Sequence, residues 1–207
     1  MQRQHDRLRS RAMKSLSGSR FTLLFAALIS VMISTRFKHF GDMLHLPDAS
    51  MAIFFVCGLF LRKHWAFAVF ILLAVGLDEV SIHYAGISDF CVTAAYAFLP
   101  LAYAVLWYGG RLYSSRLRAD AWSPVGGWCV ALLSASLSFA VSNGSFYWLG
   151  GRYATSHMTE YLERLWQWGP LFVRTTMGYV TAALVAYVVA SRVVGWYGAH
   201  RSSAARI

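Results

Sequence analysis

The sequence predicts an all-α membrane protein, a compact bundle of six transmembrane helices, and three observations predict it. Hydrophobic residues fill 57% of the 207 positions and charged ones only 14%, against about 25% charged in soluble domains. The apolar residues gather into six runs separated by short polar segments. Basic residues concentrate on alternate connections between those runs, as the positive-inside rule requires. The mean hydropathy of +0.47 agrees. This length suits one helical domain, with no separate soluble one.

Taken in order, residues 1–20 are Arg-rich and read as a basic cytoplasmic segment. They resemble the charged start of a signal peptide, with Met13 as an alternative first residue. No A-x-A-like site follows the next apolar run, so that run is read as a helix. The six runs are Phe21–Ile33, Ala49–Leu61, Trp65–Leu77, Phe90–Tyr108, Val125–Val141 and Pro170–Val194. They place a six-helix membrane domain at 21–197 and a cytoplasmic tail at 198–207. Several runs fall short of the ~20 residues that cross a bilayer straight. The second and third are separated only by Arg62, Lys63 and His64, which leaves room for a tight helical hairpin and nothing more. Short spans imply one dished membrane face, and irregular backbone at membrane depth lines cavities. No internal repeat or low-complexity segment is present.

Charge orients the bundle. With six crossings and a cytoplasmic N-terminus, the inside segments 1–20, 62–64, 109–124 and 192–207 hold 14 of the 19 Lys and Arg. Arg36, Lys38, Arg152, Arg164 and Arg174 remain. The carboxylates divide the other way, with only Asp6 and Asp120 inside. Both termini of this multi-pass protein are therefore expected in the cytoplasm. The net charge of +10 reports topology and contact with anionic lipid, and nucleic-acid binding is not needed to explain it.

The outer connections carry the unusual chemistry. The first, Phe37–Asp48, offers Lys38, His39, Asp42, His45 and Asp48. The second, Asp78–Asp89, includes Glu79, His83 and Tyr84. The third, Ser142–Gly169, is long and aromatic, with Phe146, Tyr147, Trp148, Tyr153, Tyr161, Trp166 and Trp168. Aromatics at this level ordinarily form an interfacial belt. Here they interleave with Asn143, Ser145, Gly150, Gly151 and Gln167, the mixture of apolar walls and few polar groups that lines ligand pockets. On the first helix, Ala26, Ser30 and Ser34 recur every four residues, spacing that permits close helix approach within the bundle or against a separate membrane partner.

Three cysteines without CxxC spacing give no disulfide framework and no zinc motif. Cys57 and Cys129 lie mid-run and read as small buried hydrophobes. Cys91 lies in the first turn of the fourth run, with either Ser88 or Asp89 as its candidate N-cap. Free amide N–H groups and the helix dipole there favour a thiolate, while the Asp89 charge opposes it. The residues leave both readings of Cys91 open, an inert hydrophobe or a reactive ligand.

The six short helices, inside termini, small-residue first helix and ligand-like outer connections look like the substrate-binding S-components of energy-coupling factor (ECF) transporters. More narrowly, LDEVSIHYAGISDFCVTAAYAFLPLAY (Leu77–Tyr103) resembles the BtuM family of cobalamin transporters. The general resemblance runs from about Phe21 onward; the specific one rests on Asp78, Cys91 and Tyr96 in that order. It implies that Cys91 is the axial ligand to cobalt of a bound corrinoid. Asp78 and Tyr96 would then flank the corrin as polar partners, with His45, His83, Tyr84, Tyr147 and Trp148 as further binding residues. It also implies uptake of cobalamin (vitamin B12) across the bacterial inner (cytoplasmic) membrane, either alone or with an ECF-type membrane subunit and its ATPases docking at the Ala26, Ser30 and Ser34 face.

The chemistry is consistent. A corrin supplies four equatorial nitrogens and leaves cobalt two axial positions, for which thiolate is a soft, strongly donating ligand. Strong donation labilises the opposite ligand, so displacement of an upper cyanide through Cys91 is an expected side activity. Two alternatives compete: an S-component for a flavin- or thiamin-like vitamin, and a membrane haem or metal redox protein. The latter requires histidine pairs inside the bundle, and no predicted span contains an internal histidine. No P-loop, G-x-S-x-G or HExxH is present, so the chain is expected to hydrolyse no ATP by itself and shows no hydrolase signature.

Overall fold

The computed structural model describes residues 18–36, 46–120 and 122–204, the side chains of 91 and 197–204 excepted. These residues are helical or irregular, with no strand among them. The helices are α1 (Gly18–Arg36), α2 (Ser50–Val56, continued by a π turn, Cys57–Leu61), α3 (His64–Ala85), α4 (Leu99–Tyr113), α5 (Ser123–Leu149) and α6 (Met158–Ala204). Two 3-10 segments, Asp89–Cys91 and Ala94–Phe98, join α3 to α4. The described residues are therefore all-α. Helices α1, α3 and α5, with Met158–Trp196 of α6, are long and apolar enough to cross a membrane.

Helix α2 is the hub. Its sequence, SMAIFFVCGLFL, is apolar all round, and a helix of that kind needs burial on every side. It packs against each of the other five helices. Phe54, Phe55 and Cys57 are wholly buried, as are Phe70 of α3 and Leu106 and Trp107 of α4. The crossing of α2 and α4 is close because neither helix has a side chain at the contact. A Cβ on Gly58 would strike the Trp107 carbonyl, and one on Gly110 would strike the Phe55 carbonyl. Gly110→Ala is therefore expected to cost about 1–3 kcal/mol by overpacking and to lower the thermal midpoint in detergent. Gly178→Ala on α6, with open space around the added carbon, is the matched control and should not lower it.

Several boundaries differ from those expected. Helix α3 runs eight residues past Leu77, so Asp78, Glu79, His83 and Tyr84 lie on helix. A carboxylate does not end a helix when its charge is met, and Arg36 meets that of Asp78. The actual stop is Gly86, in the left-handed conformation (φ 64°) with its N–H bonded to the Ser81 carbonyl, a conformation open to glycine at little cost.

The third outer connection also shrinks, from Ser142–Gly169 to residues 150–157, since α5 continues to Leu149 and α6 begins at Met158. Helix α6 passes through Pro170 and reaches Ala204, beyond the start of the expected tail. Its 47 residues measure roughly 70 Å at 1.5 Å each. Cys129, expected in the core, is exposed on α5, because the buried stripe of that helix runs through Gly127, Ala131, Ser134, Ala135, Ser138, Phe139 and Tyr147. Cys57 is buried as expected.

Candidate functional site

One end of the bundle gathers the C-termini of α1, α3 and α5, the starts of α2, α4 and α6, and the two 3-10 segments. Arg36, the last residue of α1, is its electrostatic centre. Its Nε donates to Asp78 Oδ1 at 2.7 Å and its Nη2 to Asp78 Oδ2 at 2.6 Å, a bidentate pair. Its Nη1 donates to Ser50 Oγ at 2.8 Å and to the Tyr103 hydroxyl at 2.9 Å. Asp48 lies farther off, at 3.4 Å. The Arg36 side chain is 10% exposed and that of Asp78 25%, so water screens the pair poorly.

Tyr96 completes the group. Its hydroxyl donates to Asp78 Oδ2 at 2.6 Å. Both Asp78 oxygens therefore already have partners within the protein. Asp78 acts first as a positioning residue, aiming the Tyr96 phenol and clamping Arg36. The supporting layer is specific. Phe54 stacks on the Tyr103 ring at 4.1 Å between centroids. Asp48 Oδ1 accepts from the Ser50 N–H at 2.9 Å and from its hydroxyl at 2.6 Å. Tyr179 of α6 donates to the Pro47 carbonyl at 2.8 Å, holding the segment that enters α2.

The backbone around Cys91 differs from the expected helix start. Ser88 does cap, accepting from the Phe90 N–H at 3.2 Å. The element it caps is a single 3-10 turn, Asp89–Cys91, followed by extended Val92 and Thr93. Thr93 caps the second 3-10 segment, and the α-helix waits until Leu99, with Pro100 in its first turn. Cys91 thus closes an isolated turn, so the helix-dipole argument for its thiolate does not apply. The side chain of Cys91 lies outside the described residues, as do Lys38, His39, Asp42 and His45.

The remaining candidates separate into two places. His83 and Tyr84 occupy the last turns of α3, away from the Arg36 network. The ring of His83 bonds the Glu79 carbonyl at 2.9 Å, and Tyr84 is 86% exposed. Tyr147 is 1% exposed and its hydroxyl is fully engaged. It donates to Glu160 Oε2 at 2.7 Å and accepts from the His157 N–H at 2.8 Å. Trp148 packs edge-on against Tyr147 at 5.2 Å. Tyr153 and Tyr161 complete this aromatic group, 4.7 and 5.8 Å from the Tyr147 ring. The first 3-10 turn reaches this aromatic end of α5 through Phe90, which touches Phe146 at 5.7 Å, and the second 3-10 segment packs on α5.

Arg36 is the residue the sequence reading missed as a site member. The signal was available: a lone arginine ending an apolar run on the side poor in basic residues needs a partner at membrane depth. Comparison with known proteins matches the chain to no family model and to no curated sequence.

Proposed function

We propose that this chain is a corrinoid-binding transport protein of the BtuM type, which captures cobalamin at its outer face and mediates uptake. All six helices cross the membrane in this reading, with both termini in the cytoplasm. The observation that carries it is the 2.6 Å hydrogen bond from Tyr96 to Asp78. It joins two of the three residues that the family resemblance singles out, and the third, Cys91, lies on the short backbone connection between them. Cys91 supplies the axial thiolate to cobalt, and the Tyr96 phenol and the neighbouring polar groups face the amide rim of the corrin. Thiolate donation weakens the bond to an upper cyanide, which leaves as cyanide ion while cobalt remains Co(III). The experiment is a visible-absorption titration of the purified protein with cyanocobalamin. Corrin bands that retain the free ligand's spectrum at saturating protein would sink the reading.

Transport requires an energy source, and the outward face of α1 suits a docking partner. Ala26, Ala27 and Ser30 are exposed. The Ser30 hydroxyl donates to the Ala26 carbonyl at 3.0 Å, and Ser34 donates to the Val31 carbonyl at 3.0 Å. With its hydroxyls turned onto its own backbone, the face is smooth and needs no outside hydrogen-bond partner. It fits an ECF-type membrane subunit that brings ATPases. Ser30→Leu is expected to abolish cobalamin-dependent growth while leaving binding by the purified protein unchanged. Growth that survives the substitution would show that uptake does not use this face.

A further inference from the structure

We propose that Arg152 and Arg164 form a phosphodiester-binding subsite beside the Asp89–Cys91 turn. The proposal rests on the corrinoid reading for the identity of its principal ligand. The Arg152 guanidinium lies 4.8 Å from the Phe90 ring centroid. That of Arg164 lies 4.9 Å from Tyr153 and 5.9 Å from Tyr147. Phe146 links the two rings, 5.7 Å from Phe90 and 6.3 Å from Tyr153, so a continuous row of ring contacts runs from one cation to the other.

The contrast with Arg36 is decisive. Arg36 is saturated by carboxylate and hydroxyl acceptors. Among the described residues, neither Arg152 nor Arg164 forms an ion pair, and the buried Nε of Arg164 has no hydrogen-bond partner. Of the two acids on this part of α6, Glu160 takes the Tyr147 hydroxyl, and Glu163 forms no ion pair among the described residues. An aromatic face compensates a guanidinium less completely than an anion does, and stacking leaves its in-plane N–H edges free. A planar guanidinium fork binds the paired non-bridging oxygens of a phosphodiester bidentately. In cobalamin that group is the phosphodiester of the nucleotide loop, the substrate's one phosphate. A phospholipid headgroup presents the same chemistry from a second source.

The test uses the full chain purified in a maltoside detergent, which contains no phosphate. Cobalamin and cobinamide, a corrinoid without the nucleotide loop, are titrated into the wild type, Arg152→Gln and Arg164→Gln, and lipid phosphorus is assayed in each preparation. The wild type is expected to prefer cobalamin by about tenfold or more, the scale of a charged hydrogen bond. Each variant should lose most of that preference by weakening cobalamin alone, with cobinamide binding retained as proof of folding. A wild type without preference, but with bound phospholipid that both variants lose, assigns the subsite to a lipid headgroup. Equal weakening of both corrinoids, or no change in preference and lipid phosphorus, overturns the subsite while the corrinoid reading stands. If the wild type binds neither corrinoid, that reading falls, and the phosphorus assay alone decides the subsite.

Discussion

Arg36→Met and Asp78→Leu should each cost on the order of 3 kcal/mol of stability, while the double variant should cost much less than their sum. Removing one partner of a buried ion pair strands the other charge, a loss of about 3–5 kcal/mol; replacing both by apolar side chains is often neutral or better. The lower figure applies because Asp78 keeps 25% of its side chain exposed. Arg36→Met also leaves the Tyr96 hydroxyl bound to an uncompensated carboxylate, and it takes the donor from Ser50 and Tyr103. Unfolding of the four proteins in one detergent closes a double-mutant cycle. A cycle whose two single losses add would show that the pair does not couple, and the centre of the site would have to be sought elsewhere. Binding should follow stability only in part. Asp78→Asn keeps the shape and one acceptor for Tyr96, so its effect on corrinoid affinity separates positioning of the phenol from the charge of the carboxylate.

What the sequence disclosed, and what it hid, follows from the range over which each signal acts. Apolar runs report burial in lipid or core and need no partner to be read, so six helices in the right order were legible. The closeness of Asp78 and Tyr96 was legible only through resemblance, since eighteen residues and an irregular connection separate them. Helix ends were hidden because the stop is a backbone conformation. Gly86 and Gly151 take positive φ, the first ending α3 and the second lying just past the end of α5, whereas Asp78 and the polar residues after Ser142 continue the helices that hold them. Arg36 itself carried a readable signal, but its partner was hidden, being a carboxylate 42 residues away. The outward turn of Cys129 depends on which stripe of α5 meets its neighbours. A helix with small residues scattered around it, such as SPVGGWCVALLSASLSFAV, gives no such stripe from sequence alone.

Cys91→Ser should remove the sulfur-ligated spectrum of bound cobalamin and stop cyanide release, the largest functional effect expected here. Serine keeps the size, but its hydroxyl stays protonated at neutral pH and is a poor ligand for cobalt, while a thiolate is soft and strongly donating. Because the ligand must be deprotonated, the sulfur-ligated fraction should fall as pH is lowered in the wild type, and the variant should show no such dependence. Corrinoid binding should weaken without disappearing, since Tyr96, held to Asp78 at 2.6 Å, and the aromatic end of α5 are untouched by the change. The other two cysteines are the controls. Cys57 is wholly buried in α2 and Cys129 is exposed on α5, so serine at either position should leave the spectrum as it was. If Cys91→Ser retains the wild-type spectrum, the axial ligand is another group. If Cys57→Ser loses it, the corrinoid enters the helical core, and the site proposed at the end of the bundle is misplaced.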